Sequence, residues 1–293
     1  KNDSIYTSDA QIDGLSTLKI DTSFPLIKSK NTIKETLTPK VSLRINPGNN
    51  MDNYRGSLAN INANNVFDIN RLGLTNDFEA GRSLTLGLDY KFDLLENDQI
   101  QIDESKDKYL EFKLATVIRD QNENDIPISS TINQKNSDLF GSINNQLFEN
   151  VNFTYDFSLD NDMKTINSNA IESEISINNF ITTFNFIEQR NEIGSTHLLS
   201  NVTEYKIDKN TSLKFSTRRN KEINLTEYYD LSYEYKNDCL TAALRFNKSF
   251  YQDNDLKPSE DLFFSITLIP LTTYEREIYQ NTSGQNWLKG WFK

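Results

Sequence analysis

One histidine, His197, stands among Thr196, Leu198 and Leu199. No serine or cysteine is set to partner it, so it reads as structural rather than as a general base. Asp93, Glu96, Asp98, Asp103, Glu104 and Asp107 could offer oxygen ligands to a divalent ion, but their spacing matches no calcium loop. A solvated acidic link is the expected reading. Cys239 is the one cysteine, which excludes an internal disulfide and leaves a buried or turn-side thiol. No phosphate-cradling glycine loop or His/Cys metal cluster occurs. Nothing here points to an enzyme, a metal or a cofactor. Trp287, Leu288, Trp291 and Phe292, mixed with Lys289 and Lys293, read equally as an interfacial anchor or as a short segment packed on the fold.

Charge and composition narrow the partners. The 293 residues carry 31 basic and 42 acidic side chains, a net charge of −11. That balance argues against binding nucleic acid by phosphate neutralisation. The hydrophobic share is 36%, low for a globular chain, and no apolar run approaches the length of a membrane-spanning helix. The chain opens on Lys1-Asn2-Asp3 without a charged-then-oily leader, so either a signal peptide is removed or the chain is a piece of something longer.

The elements that must position any function are strands. Leu84, Leu86, Leu88, Tyr90 and Phe92 alternate with Ser83, Thr85, Gly87, Asp89 and Lys91. Leu110, Phe112, Leu114 and Ile118 return against Glu111, Lys113 and Ala115. The same pattern recurs at Val41–Leu43–Ile45, at Val151 to Leu159, and through Tyr229 to Tyr235, Leu240 to Phe246 and Phe264 to Leu268. The oily face meets either a second sheet, as in a soluble sandwich, or lipid, as in an outer-membrane barrel whose polar face lines a lumen. Aromatics near strand ends, such as Tyr228, Tyr235, Phe250 and Phe263, favour the barrel. Ser83, Thr85, Asp89, Lys91, Glu111 and Lys113 are then the lumen-facing candidates. Leu84, Leu86, Leu88, Tyr90, Phe92, Leu240, Leu244 and Phe246 are the lipid-facing ones. This reading fails if Leu84, Leu86 and Leu88 lie sealed beneath a second layer.

About thirteen strands are expected, joined mostly as hairpins into an all-β, antiparallel, up-and-down transmembrane β-barrel. Residues 1–14 read as a polar leader or loop, 15–270 as the barrel portion and 271–293 as a tail. Phe24-Pro25-Leu26 suggests an extended segment near a strand end. Asn178-Asn179 suggests a tight turn. Residues 51–80, asparagine-rich and weakly patterned, read as a surface excursion. Long links such as 46–80, 119–136 and 251–260 alternate with short ones such as 208–210; the acidic link at 93–107 is too long for its side. An odd strand count cannot close antiparallel edge to edge, and so predicts a missing N-terminal portion.

Several linked runs also carry a resemblance. Tyr229-Asp230-Leu231-Ser232-Tyr233-Glu234-Tyr235, Asn237-Asp238-Cys239-Leu240, and Leu256-Lys257-Pro258-Ser259 before Phe263-Phe264-Ser265-Ile266 are one set. Asn65-Val66-Phe67-Asp68-Ile69-Asn70-Arg71-Leu72, then Phe78-Glu79-Ala80-Gly81, then Ser137-Asp138-Leu139-Phe140-Gly141-Ser142-Ile143 are another. Together they resemble the lipopolysaccharide-assembly barrel of Gram-negative outer membranes, the LptD (OstA) family, and in particular its C-terminal part.

The resemblance implies a non-enzymatic outer-membrane translocon. Lipopolysaccharide would arrive from periplasmic bridge proteins, pass its sugars through a polar lumen, and release its acyl chains through a seam between first and last strands. It implies a plug lipoprotein of the LptE kind inside the barrel, membrane lipid outside it, and a Cys239 bridged to an N-terminal domain. A generic porin or receptor barrel fits the strand pattern equally well, and a soluble adhesin-like β protein is a third reading.

Overall fold

Alternation becomes strand after strand. The computed structural model describes residues 16–30, 32–47, 60–74, 78–95, 108–124, 126, 130–191, 194–250, 258–269 and 272–281. Its strands are β1 (Leu18–Ser23), β2 (Leu26–Lys30), β3 (Ile33–Asn46), β4 (Gly81–Leu94), β5 (Lys108–Arg119), β6 (Leu139–Phe148), β7 (Val151–Leu159) and β8 (Ile166–Ile177). They continue as β9 (Phe180–Asn191), β10 (Gly194–Lys206), β11 (Thr211–Asn220), β12 (Leu225–Lys236), β13 (Leu240–Ser249), β14 (Ser259–Leu268) and β15 (Thr272–Asn281). No helix is present among the described residues.

All fifteen strands belong to one antiparallel sheet in which each pairs with the next, save that β1 and β2 both pair with β3. This is the up-and-down meander of a β-barrel, here open between β1 and β15. Two expectations are corrected. The stretch after Pro270, read as tail, supplies β15. The count of about thirteen also misleads: β1 and β2 occupy one column beside β3, so the fifteen strands fill fourteen columns. Among the described residues the first and last columns run antiparallel.

Local chemistry explains the breaks. Proline offers no N–H to a ladder, and Pro25 falls where β1 stops at Ser23 and β2 starts at Leu26. The Phe24 amide still reaches across to the Pro39 carbonyl at 3.1 Å. Between β8 and β9 the chain reverses within Asn178-Asn179, where Asn178 takes a φ of 51°, a left-handed conformation that asparagine tolerates.

Which face is covered decides the reading. Leu86 and Leu88 are 37% and 41% exposed, whereas Ser83 and Thr85 on the opposite face are each 3% exposed. Leu43, Phe112, Leu114 and Ile118 are exposed on the same side as the leucines. No described residue lays a second layer over that side.

The covering comes from the link between β3 and β4. Instead of an excursion over the surface, residues 60–74 turn inward across the polar face. Ile61, Ala63, Val66, Leu72 and Leu74 form the buried core with Ala115 and Val117 of β5, Phe140 of β6, and Ile126 and Ile132 of the β5–β6 link. Phe67 sits against Gly87, where a β-carbon would lie 2.6 Å from its ring. Gly87→Val should therefore displace Phe67 at a cost of about 1–3 kcal/mol, the usual range for overpacking. The checks are a lower unfolding midpoint in detergent and faster tryptic cleavage at Arg71.

Candidate functional site

The inner segment is built from asparagines that bond to their own backbone. Asn62 accepts from the amides of Asn64 and Asn65 at 2.9 and 3.1 Å, and Asn65 accepts from the Asn62 amide at 2.9 Å. Asn70 accepts from the Leu74 amide at 2.9 Å and donates to the Leu74 carbonyl at 2.7 Å. These turns aim the apolar side chains at the sheet and leave amides for longer reaches. Lys113 donates to Asn64 at 3.0 Å, Asn64 to Ser142 at 3.4 Å, and Gln189 of β9 to Asn60 at 2.7 Å. The segment thus spans the polar face from β3 to β9.

A buried charge cluster pins its other end. Arg71 and Glu79 are almost wholly buried, as are Arg44 of β3 and Arg119 of β5. Glu79 Oε2 accepts from Arg71 Nε at 2.6 Å and from an Arg44 nitrogen at 3.0 Å, and Oε1 accepts from both Arg71 and Arg119. Arg71 also donates to Thr85 at 3.0 Å, to Ser83 at 3.1 Å and to the Val66 carbonyl at 3.2 Å. Glu123, itself buried, adds a second carboxylate that attracts Arg119. Gly81 permits the turn into β4 with a φ of 83°. Burial alone would raise the Glu79 carboxyl, but Arg71 first, then Arg119 and Arg44, hold it down at about 2.

A second clasp lies at the start of β6. The Val117 amide donates to Ser137 Oγ at 2.8 Å, and the Ser137 amide to the Val117 carbonyl at 2.9 Å. Buried Asp138 accepts from Ser158 and, at 2.8 Å, from Asn167. Burial pushes its carboxyl above the usual range despite those bonds.

The residues singled out from sequence fall as follows. Ser83 and Thr85 lie under Arg71. Asp89 pairs with Lys40, Lys91 with Asp93 at 2.8 Å, and Glu111 with Lys113 at 3.0 Å, all in one set of rows on the polar face. Leu84, Leu86, Leu88, Tyr90 and Phe92 occupy the other face of β4, and Leu240, Leu244 and Phe246 take the same alternate positions of β13. Cys239 is a free, exposed thiol in the β12–β13 turn, where Asn237 caps its amide at 3.0 Å. His197 stands beside Glu188 in register, its ring edge-on to Phe186 at 5.2 Å. The acidic link from Glu96 to Asp107, the aromatic run Trp287 to Phe292, and residues 1–14 lie outside the described residues.

Sequence reasoning missed Arg44, Arg71, Glu79 and Arg119 as a unit. The signal was three small or apolar positions, Gly87, Ala115 and Val117, on a face otherwise polar, with Arg119 two residues beyond Val117. Such a face expects an occupant.

Glu79→Gln removes the only carboxylate that touches all three guanidiniums among the described contacts. It should cost about 3–5 kcal/mol, the range for breaking a buried pair from one side. The pH dependence has a definite sign. The unfolded glutamate takes up a proton near 4.5, while the folded one resists until about 2. Its contribution is therefore complete above 4.5 and is lost as pH falls from 4.5 through 2. Acid unfolding in detergent should be steep in that window for the native chain and flatter there for the variant.

Comparison with known proteins accords with this architecture. No curated protein matches the chain. The model of the family described as LPS transport system D, LptD, matches residues 4–211, well over half of it. The matched region holds the inner segment with Arg71 and Glu79 and the Ser137-Asp138 clasp, and ends at the first residue of β11. The runs from Tyr229 onward lie beyond it. That family is a transport component and not an enzyme family, and its β-rich outer-membrane character fits the sheet seen here. The chain therefore belongs to the LPS transport system D family, with a role in lipopolysaccharide transport and assembly.

Proposed function

We propose that the chain works in the outer membrane as a translocon component that delivers lipopolysaccharide to the cell surface. The observation that carries this is the inversion of faces: Leu86 and Leu88 uncovered, Ser83 and Thr85 covered. Hydrocarbon is the solvent in which such an outward face is favourable, and a strand crosses it without exposing unpaired amides. The sugars follow the polar face. Among the described residues the hydrogen bonds of the inner segment extend as far as Gln189 of β9, and Lys214, Ser232, Arg245 and Ser265 of the later strands add a further polar wall.

The acyl chains leave sideways at the seam between the β1–β2 column and β15. That column is interrupted at Phe24-Pro25, and Pro39 beside it supplies no N–H, which supports a weak edge there. Bridge proteins on the periplasmic side hand over the amphiphile, and a plug lipoprotein fills the lumen. Cys239, at the end of the sheet that carries the short turns 149–150, 178–179 and 207–210, bonds to a cysteine of a periplasmic domain.

Depletion of the chain in its host should remove lipopolysaccharide from the cell surface, measured by labelling intact cells. Channel conductance without such a defect would replace this reading by a porin. The face assignment has its own check: Leu244→Arg should cost about 2–4 kcal/mol in bilayers, the range for a cation at mid-membrane, and Ser265→Arg on the other face far less. Equal costs in urea titrations of the reconstituted protein would remove the lipid contact.

A further inference from the structure

The inner segment is fastened unequally. Its Arg71 end is held from within: Arg71 is almost wholly buried and donates to Glu79, Ser83, Thr85 and the Val66 carbonyl. Parting those bonds would strand a buried charge. The Asn60 end is held at the surface. Gln189 donates to Asn60 at 2.7 Å, Lys113 to Asn64 at 3.0 Å and Asn64 to Asp156 at 3.5 Å, and all three bonds are exposed. A further bond, from Asn64 to Ser142, is partly buried and long at 3.4 Å. Water or a hydroxyl group replaces bonds of this kind at little cost.

Packing follows the same gradient. Val66 and Leu72 are wholly buried, whereas Asn60, Ile61 and Asn62 border a cavity of about 130 Å³ that they share with Phe140, Ser158 and Gln189. A void leaves the groups on its walls short of contacts. Of residues 60–65, only Ile61 and Ala63 belong to the apolar core. Residues 62–65 are closed by their own side chain–backbone bonds, which lets them move as one piece. Val66, whose carbonyl Arg71 grips, is where such a movement stops.

We propose that residues 60–65 are a flap, hinged at Val66, that lifts off the polar face of β5–β9 and widens the lumen as cargo passes. Its role in passage rests on the transport reading; the motion itself does not. Cargo rich in hydroxyls opens it by competition, because each hydroxyl both donates to and accepts from the amides it displaces. Closed is the resting state, since lifting exposes Ile61 and Ala63 to water.

Thiol labelling of the full chain in detergent micelles tests the motion, with exposed Cys239 as the internal reference. Ala63→Cys and Ser83→Cys put a thiol under each end of the segment, at positions that are both buried. The thiol at 63 should react with a maleimide at least about tenfold faster than the one at 83, and Gln189→Ala should speed 63 further while leaving 83 unchanged. Hydroxyl-radical footprinting of the unaltered chain reads the same gradient if a variant misfolds, with Ile61 oxidised well ahead of Leu72. Equal rates at the two ends, or indifference of 63 to Gln189→Ala, overturns the flap. Its role is read in depleted cells that carry Asn60→Cys and Gln189→Cys together. Surface lipopolysaccharide should be restored, lost when a short reducible bis-thiosulfonate linker joins the two thiols, and recovered on reduction. Delivery that continues through the linked chain overturns the proposal. A native chain that keeps the labelling gradient yet restores no surface lipopolysaccharide removes the transport reading and leaves the flap standing.

Discussion

One carboxylate shared by three guanidiniums holds the molecule's inner architecture in place. Glu79 touches Arg44 of β3, Arg119 of β5 and Arg71 of the segment that crosses between them. Three buried arginines without it would repel one another in a medium that screens poorly. With it, two strands and a crossing segment share a single fixed point. The apolar core of Val66, Leu72, Val117 and Phe140 gathers beside that point, so packing and charge constrain the same few residues.

This arrangement reverses the usual relation between burial and polarity. In most folded chains the covered side chains are oily and the wet ones polar. Here serine, threonine, arginine and glutamate are among the least exposed groups, and leucine, isoleucine and phenylalanine are widely exposed. The polar groups around the inner segment stay covered because they find partners: Ser83 and Thr85 under Arg71, Ser142 near Asn64, Ser158 on Asp138. A polar face so partnered, with the oily face left uncovered, is the pattern on which the proposed lipid contact rests.

The strands were legible because a period of two leaves little choice about which side chains share a face; β4, β5 and β13 follow their alternation residue for residue. Pro25 and Asn178-Asn179 were legible for the same local reason. Residues 60–74 were not. Their apolar positions, Ile61, Ala63, Val66, Leu72 and Leu74, follow neither a period of two nor one of 3.6, because Asx turns rather than a regular element set their direction. The pairing of Glu79 with Arg44 and Arg119 joins residues 35 and 40 positions apart, which no local pattern announces. Counting columns failed for a related reason: β1 and β2 are two strands by chemistry and one by position.

That divided first column has a mechanical consequence. Its two pieces hold six and five residues and pair with different halves of β3. Either piece can peel away while the other stays attached, so the edge yields in two small steps where an unbroken ribbon would require one large step. A wedge driven against that margin, whatever its nature, would need to part only half the ladder at a time, and the half still attached would guide the loose one home.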